Sequence, residues 1–359
     1  MDDARTARLR LLRSANVGPV TYAQLIARFG TAEAALEALP MLAARGGGRA
    51  PRIADAGAVA REIAAVERLG ARYLFSDDAD YPALLAETET APPALIVRGL
   101  IDLLARSTVA IVGARNASAA ACRFARQLAL GLGDAGVTVV SGLARGIDTA
   151  AHVGSLGSGT VGVIASGIDI AFPPENAELQ ERVAREGLLL AEQPPGTEPL
   201  ARFFPSRNRI IAGVALGTVV VEAAPRSGSL ITARIAAEAG RDVMAVPGSP
   251  LDPRAQGCNL LIREGATLVQ NADDVLEMIR PLDPRAVRAP GARWGGPPPE
   301  DASDADRRIV TGLLGPVPVG VDELIRQSRL APAVVQTVLL ELELGGRLER
   351  HAGGRVSLG

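Results

Sequence analysis

Thr108-Val109-Ala110-Ile111-Val112-Gly113-Ala114-Arg115 is a short run of apolar and β-branched residues that breaks at a glycine. The stretch Ala117–Leu132 after it carries a helical pattern. Such a run suits a strand buried on both faces better than a helix, because it is too short to repeat a 3.6-residue period. The same phrase recurs at Val137–Ser141, Thr160–Ile164, Leu188–Ala191, Thr218–Glu222, Val243–Val246 and Ala266–Val269. Helical segments such as Glu175–Glu186 and Leu230–Ala239 lie between them. Buried strands alternating with helices predict an α/β fold: a doubly wound parallel sheet over residues 69–282. Such sheets bind ligands at the carboxyl ends of their strands.

Outward from this core the pattern changes. Residues 1–68 read as helices: Leu9, Leu11 and Leu12 open an apolar face, Asn16-Val17-Gly18-Pro19 turns, and Tyr22, Leu25, Ile26 and Phe29 follow at helical spacing. This is a SAM-like or helix-hairpin-helix module. Its hairpin amides can touch a phosphate, or the module can serve packing alone. Residues 283–303, with Pro284, Pro290, Gly291 and Pro297 to Pro299 around Trp294, read as a linker. In residues 304–359, three helices (Arg307–Leu314, Val321–Arg329, Ala333–Leu344) precede a hairpin from Leu348 to Ser357, the winged-helix pattern. Its third helix carries Glu341 and Glu343 and no arginine, which suits a protein contact better than a phosphate contact.

The chain has 359 residues, a net charge of −2, 3% aromatics, and arginine at all 38 basic positions. Without lysine there is no Walker A phosphate lysine and no pyridoxal-phosphate Schiff base. Two cysteines, Cys122 and Cys258, lie far apart and outside any metal-ligand spacing, so no metal is expected. No apolar run reaches the roughly 18–20 residues of a membrane span, and the acidic start does not read as a signal peptide. A cytoplasmic protein with no membrane contact is expected. The near-neutral charge means that any nucleic-acid binding must come from a local arginine patch.

The loops after the strands are rich in Gly, Ser and Arg. Gly113 and Arg115 follow the first strand; Ser141, Gly142 and Arg145 the second; Gly167 the third; Ser227, Gly228 and Ser229 come after Glu222. Glycine admits a phosphate close to the backbone, and the helix that follows offers unpaired amides. A dinucleotide is excluded on detail. The first loop is Gly113-x-Arg115 rather than G-x-G-x-x-G, and Ser141 stands where an acid would hold the ribose. No cofactor is expected. Phe203-Phe204-Pro205-Ser206-Arg207-Asn208-Arg209 sets aromatics beside arginines, which serves unpaired bases and backbone together. Asp148 and His152, at i and i+4, can hydrogen-bond to each other, and bracing is the expected role because no nucleophile or metal cluster accompanies them.

The ordered set Ile111–Arg115, Ser141–Asp148 with His152, Phe204–Gly213, Val221–Ala223, Ser227–Ala233, Ala245–Gly248 and Gly257–Ile262 resembles the DNA-processing protein A (DprA/Smf) family. The resemblance covers roughly residues 72–282. It implies an extended Rossmann-like fold, single-stranded DNA binding without catalysis, transfer of that DNA to the recombinase RecA in natural transformation, and a homodimer through the Rossmann-like core. It also implies a DNA pocket at Arg115, Arg202, Arg207 and Arg209, with Phe204 against a base. Leu230–Ala239 up to the last strands is the expected dimer face. A nucleotide phosphoribohydrolase of the lysine-decarboxylase-like group is the enzyme alternative. Glu222 and Ser227-Gly228-Ser229 fit it loosely, but its Pro-Gly-Gly-x-Gly-Thr loop is absent. A ligand-sensing transcription regulator is a third class.

Overall fold

The computed structural model describes residues 2–49, 51–280, 301–351 and 353–359. Residues 283–300 of the expected linker, Trp294 included, lie outside the described residues. The chain divides into two compact units, Ala64–Ala289 and the terminal stretches Met1–Ile63 with Pro290–Gly359.

The larger unit holds a sheet of nine strands among the described residues. They are β1 (Arg72–Phe75), β2 (Ala94–Gly99), β3 (Thr108–Gly113), β4 (Thr138–Ser141), β5 (Thr160–Gly167), β6 (Leu188–Gln193), β7 (Gly217–Val221), β8 (Asp242–Ala245) and β9 (Thr267–Leu268), in the order β1-β2-β6-β5-β4-β3-β7-β8-β9. From β6 to β9 neighbouring strands run parallel, whereas β1 and β2 form an antiparallel edge. The expected parallel strands are all present. The short antiparallel pair is additional, and it extends the Rossmann-like sheet.

Successive residues of one strand feed opposite cores, as the twofold alternation of a strand requires. Ala110 and Val112 of β3 pack with Ile210, Ile211, Val214 and Ala233, which belong to α9 (Phe203–Val214) and α10 (Gly228–Glu238). Val109 and Ile111 pack with Ala125, Leu128, Leu132 and Ala151 from α6 (Ala119–Asp134) and α7 (Ile147–Ser155). Helices thus cover both faces, and the sheet is doubly wound. The winding reverses at β3, with β4 on one side and β7 on the other, so the β3–β7 crevice is where such a sheet takes a ligand.

In the second unit, α1 (Asp3–Arg13), α2 (Pro19–Phe29) and α3 (Ala32–Arg45) form the N-terminal helical module. The winged helix comprises α13 (Asp304–Leu313), β10 (Val319–Gly320), α14 (Val321–Ser328), α15 (Pro332–Leu344), β11 (Leu348–His351) and β12 (Arg355–Leu358), the three strands forming one small sheet. α15 occupies the groove-reading position of a winged helix, yet most of its length is buried. Leu340 and Leu344 enter the same core as Leu25, Leu36, Leu39 and Leu42. Glu341 is fully buried on a bidentate pair with Arg307 (2.8 and 2.9 Å), and Glu343 pairs with Arg350 at 2.8 Å. The two terminal modules therefore share a core that neither completes alone. Leu340→Ala is expected to cost about 2–5 kcal/mol. Amide hydrogen exchange should speed up in α2 and α3 as well as in α15.

Candidate nucleic-acid interface

The carboxyl edge of the sheet is held by three buried or half-buried side chains that accept hydrogen bonds from loop backbone. Asp148 Oδ2 accepts the amides of Gly142 (3.2 Å) and Ala144 (3.4 Å), and His152 Nε2 accepts that of Leu143 (3.3 Å). Leu143 sits at φ 54°, in the left-handed region, so this grip holds a loop that would otherwise relax. Asn176 donates to the Leu143 carbonyl at 2.8 Å. At the end of β7, Glu222 (φ 50°) accepts the amide (2.8 Å) and the hydroxyl (2.7 Å) of Ser118, the N-cap of α6. The expected Asp148–His152 hydrogen bond is absent: each side chain braces the loop separately, because buried amides have no other acceptor.

Burial pushes His152 down to about 3, with the nearby Arg207 charge adding to the effect. The ring is neutral, and with Nε2 accepting, its proton lies on Nδ1 toward Thr160 Oγ1 at 2.7 Å. Burial raises the Asp148 carboxyl, while Arg207 and the two amides pull it back. Arg207, only 6% exposed, is lowered by burial to about 10 and stays protonated at neutral pH. Its guanidinium lies against Gly142, where any Cβ would collide with it and with the Asp148 carboxylate. Its Nε has no hydrogen-bond partner among the described residues.

Over this floor stands an aromatic and cationic cluster. The Phe204 ring has the Arg115 guanidinium 5.2 Å and the Arg207 guanidinium 6.0 Å from its centroid. Phe172 meets it edge-on at 5.8 Å, and Arg202 covers Phe203 at 5.0 Å. Arg115 and Arg202 are exposed and have no carboxylate partner among the described residues. Aromatic faces bordered by unpaired guanidiniums receive flat π systems and phosphates together.

The structure gathers Arg115, Phe204 and Arg207 with Gly142, and it places other expected site residues elsewhere. Arg209 does not share the Arg115 groove. It is bound to the Glu192 carboxylate and the Thr90 carbonyl beside the buried Tyr81. Ser141 is fully buried, its hydroxyl donating to the Ile111 carbonyl at 2.6 Å. Gly167 is buried with its amide on Thr197 O at 2.9 Å, and Arg145 is paired with Glu175. Gly113 is packed so tightly against the Val221 carbonyl and Ile147 that it works as a close-approach glycine. Asn208 reaches the Gly228 carbonyl at 3.4 Å, and the Ser227 and Ser229 hydroxyls pair at 2.7 Å at the start of α10, where Gly228 is exposed. Two residues went unselected in the sequence. Phe172 is 42% exposed, and Arg226 is exposed with no carboxylate partner among the described residues. Phe172-Pro173-Pro174, directly after the Gly167 loop, was the available signal.

A doubly wound sheet with a cation–aromatic edge, joined in sequence to a helical module and a winged helix, defines a Rossmann-like binding protein. The chain belongs to the DNA recombination-mediator protein A family, which it matches over residues 72–280. Residues 2–65 match the DprA-like N-terminal HHH domain and residues 296–354 the DprA winged helix domain. The chain is 47% identical over 198 residues to DNA processing protein DprA of Streptococcus pneumoniae, covering 55% of this chain and 70% of that one. It is 37% identical over 309 residues to a putative DNA processing protein DprA of Mycobacterium tuberculosis, covering 82% and 79%. The solved DprA of S. pneumoniae aligns at a TM-score of 0.59 with 42% identity, over 63% of this chain and 78% of that one. DNA processing protein A of Helicobacter pylori, studied for its single-stranded DNA binding mode, aligns at 0.53 with 26% identity, over 57% and 94%.

The neutral His152 sets a pH dependence. The unfolded chain takes a proton near pH 6.5 that the folded chain refuses down to about 3, so this stabilisation is complete above pH 6.5 and lost as pH falls toward 3. His152→Gln keeps an acceptor for the Leu143 amide but cannot titrate. Denaturant titrations between pH 6 and 4 should show the variant's stability falling less steeply, by up to about 1.4 kcal/mol per pH unit.

Proposed function

We propose that this protein binds single-stranded DNA at the carboxyl edge of its sheet, protects it, and passes it to the recombinase RecA during natural transformation. The observation that carries the reading is the Phe204 ring between the exposed Arg115 and the buried, under-bonded Arg207. Unpaired bases need a ring to stack on and their backbone needs cations, and this cluster offers both within one side chain's reach. Family membership and the single-strand binding of the H. pylori relative support it. Phe172, Arg202 and Arg226 extend the surface along the same edge. The protein acts without catalysis: Asp148, His152 and Glu222, the groups best placed for acid–base work, are engaged as acceptors that hold loops. A protein that takes up single-stranded DNA for RecA works in the cytoplasm.

It works as a homodimer through the Rossmann-like core, which doubles the track and adds avidity. Ile231 of α10, Leu260 of α11 (Gln256–Arg263) and Leu268 of the edge strand β9 are apolar and 36–42% exposed, which supports that side as the face.

Arg115→Ala should lower the slope of log affinity against log salt by about one unit for single strands. Phe204→Ala should weaken binding by about 1–3 kcal/mol at every salt concentration. Arg209→Ala should lower the thermal midpoint more than DNA affinity, since it leaves Glu192 unpaired. Unchanged affinity in both the Arg115 and Phe204 variants refutes the site. Leu268→Asp should yield a monomer in sedimentation with weakened single-strand binding; an unchanged dimer refutes the face.

A further inference from the structure

Within the unit formed by the two terminal modules lies a cleft of about 440 Å³, between the C-terminal end of α3 and the helices α13 and α15. Four arginines line it, Arg45, Arg307, Arg308 and Arg347, around the backbone of Gly46-Gly47. Two of them are fixed by acids: Arg307 by the buried Glu341, and Arg45 by Asp301 at 3.0 Å. The other two are not. Arg308 Nε donates to the Asp304 carbonyl at 3.2 Å and Arg347 Nη1 to the Gly46 carbonyl at 3.1 Å. Neither has a carboxylate partner among the described residues, and both are exposed. A Cβ on Gly47 would stand 2.8 Å from Arg347 Nη1, so glycine there leaves room for that guanidinium. Set against Glu341, Asp301 and Asp304, the four arginines keep a positive excess, concentrated in Arg308 and Arg347.

The lining also says what kind of anion fits. Among the described residues no aromatic side chain borders the cleft, so its described lining offers no surface on which an unpaired base can stack. Guanidinium forks match phosphate oxygens and carry no information about base sequence. A ligand that presents phosphates outward with its bases already paired satisfies both conditions. We propose that this cleft is a second nucleic-acid contact that takes the phosphate backbone of duplex DNA. It takes duplex as a ligand separate from the single strand that the sheet edge is proposed to bind, and it does not rest on that reading. The buried α15 is then no groove reader; α13 and the end of α3 make the contact instead.

The test uses the full-length chain, with a blunt duplex and a single strand of equal length, each titrated by fluorescence anisotropy across salt. The unaltered chain should bind the duplex. Arg308→Ala/Arg347→Ala should weaken duplex binding roughly tenfold and lower its salt slope by about two units, leaving single-strand binding unchanged. Arg308→Ala alone, which removes only one hydrogen bond to a carbonyl within its own helix, should lower the slope by about one unit; this keeps the result readable should Arg347 prove needed for folding. No duplex binding by the unaltered chain, an unchanged slope in both variants, or equal loss on duplex and single strand overturns the proposal. Displacement of the duplex by micromolar ATP also overturns it, in favour of a mononucleotide pocket. Arg115→Ala in the same titrations separates the two sites: its failure to weaken single-strand binding counts against the sheet-edge reading alone.

Discussion

The amides of Gly142, Leu143 and Ala144 point inward at the end of β4, and the hydrogen bonds that receive them set up the rest of the site. A buried amide without an acceptor costs about 1–3 kcal/mol, and this loop turns in three while holding Leu143 in an unfavourable conformation. Only acceptors from the following helix can reach them, and α7 supplies two a turn apart, Asp148 and His152. The carboxylate brings a negative charge into the interior, and that charge needs a cation. Arg207 is that cation. Because Arg207 lies in the first turns of α9, its position fixes Phe204 one turn away, and Phe204 in turn gives Arg115 a surface to lie on. The cation–aromatic edge is thus the outer layer of a structure whose inner layer is a turn.

This nesting explains why arginine suits the position. The Arg207 guanidinium fits between Gly142 and the Phe204 ring while facing Asp148, and a flat, weakly hydrated cation can do all three. A compact ammonium holds its water more strongly and cannot lie along a ring or a backbone plane. Arg207 is buried opposite Asp148 with an Nε that has no hydrogen-bond partner among the described residues, and a buried donor left unsatisfied costs about 1–3 kcal/mol.

The sheet was legible because buried parallel strands write themselves as apolar runs, and β3 to β9 do so. β1 and β2 were not, since Arg72-Tyr73-Leu74-Phe75 is too short to stand out and Pro92-Pro93 obscures the start of β2. The arginines divide for a similar reason. Arg207 and Arg209 look equivalent in sequence, two cations in one short stretch, but the helix begins at Phe203, ahead of both. Residues two apart on a helix point in nearly opposite directions, so one faces the groove and the other Glu192. The i and i+4 spacing of Asp148 and His152 allows a mutual bond and suggests a brace. It proved to be a shared grip on backbone that no spacing rule reveals. The joint core of the terminal modules was half legible: Glu341 and Glu343 without an arginine point α15 toward a protein contact, but nothing in the spacing names α2 and α3 as what it meets.

The net charge of −2 hides the basic edge for a physical reason. In the core unit five acids are engaged in place: Glu222 on Ser118, Asp148 on the β4 loop, Glu192 on Arg209, Glu175 on Arg145 and Glu181 on Arg98. Glu192, Glu175 and Glu181 are each matched by an arginine, Asp148 faces Arg207, and Glu222 is tied to the start of α6. Arg115, Arg202 and Arg226 have no such partner among the described residues, and they stand on loops at one edge of the sheet. A whole-chain sum gives a paired acid and an unpaired arginine equal weight, whereas an approaching phosphate responds to the unpaired charge within about a Debye length, roughly 8 Å at physiological salt. The sign that a ligand meets is therefore set by which side chains the fold leaves without partners, and the composition carries no record of that.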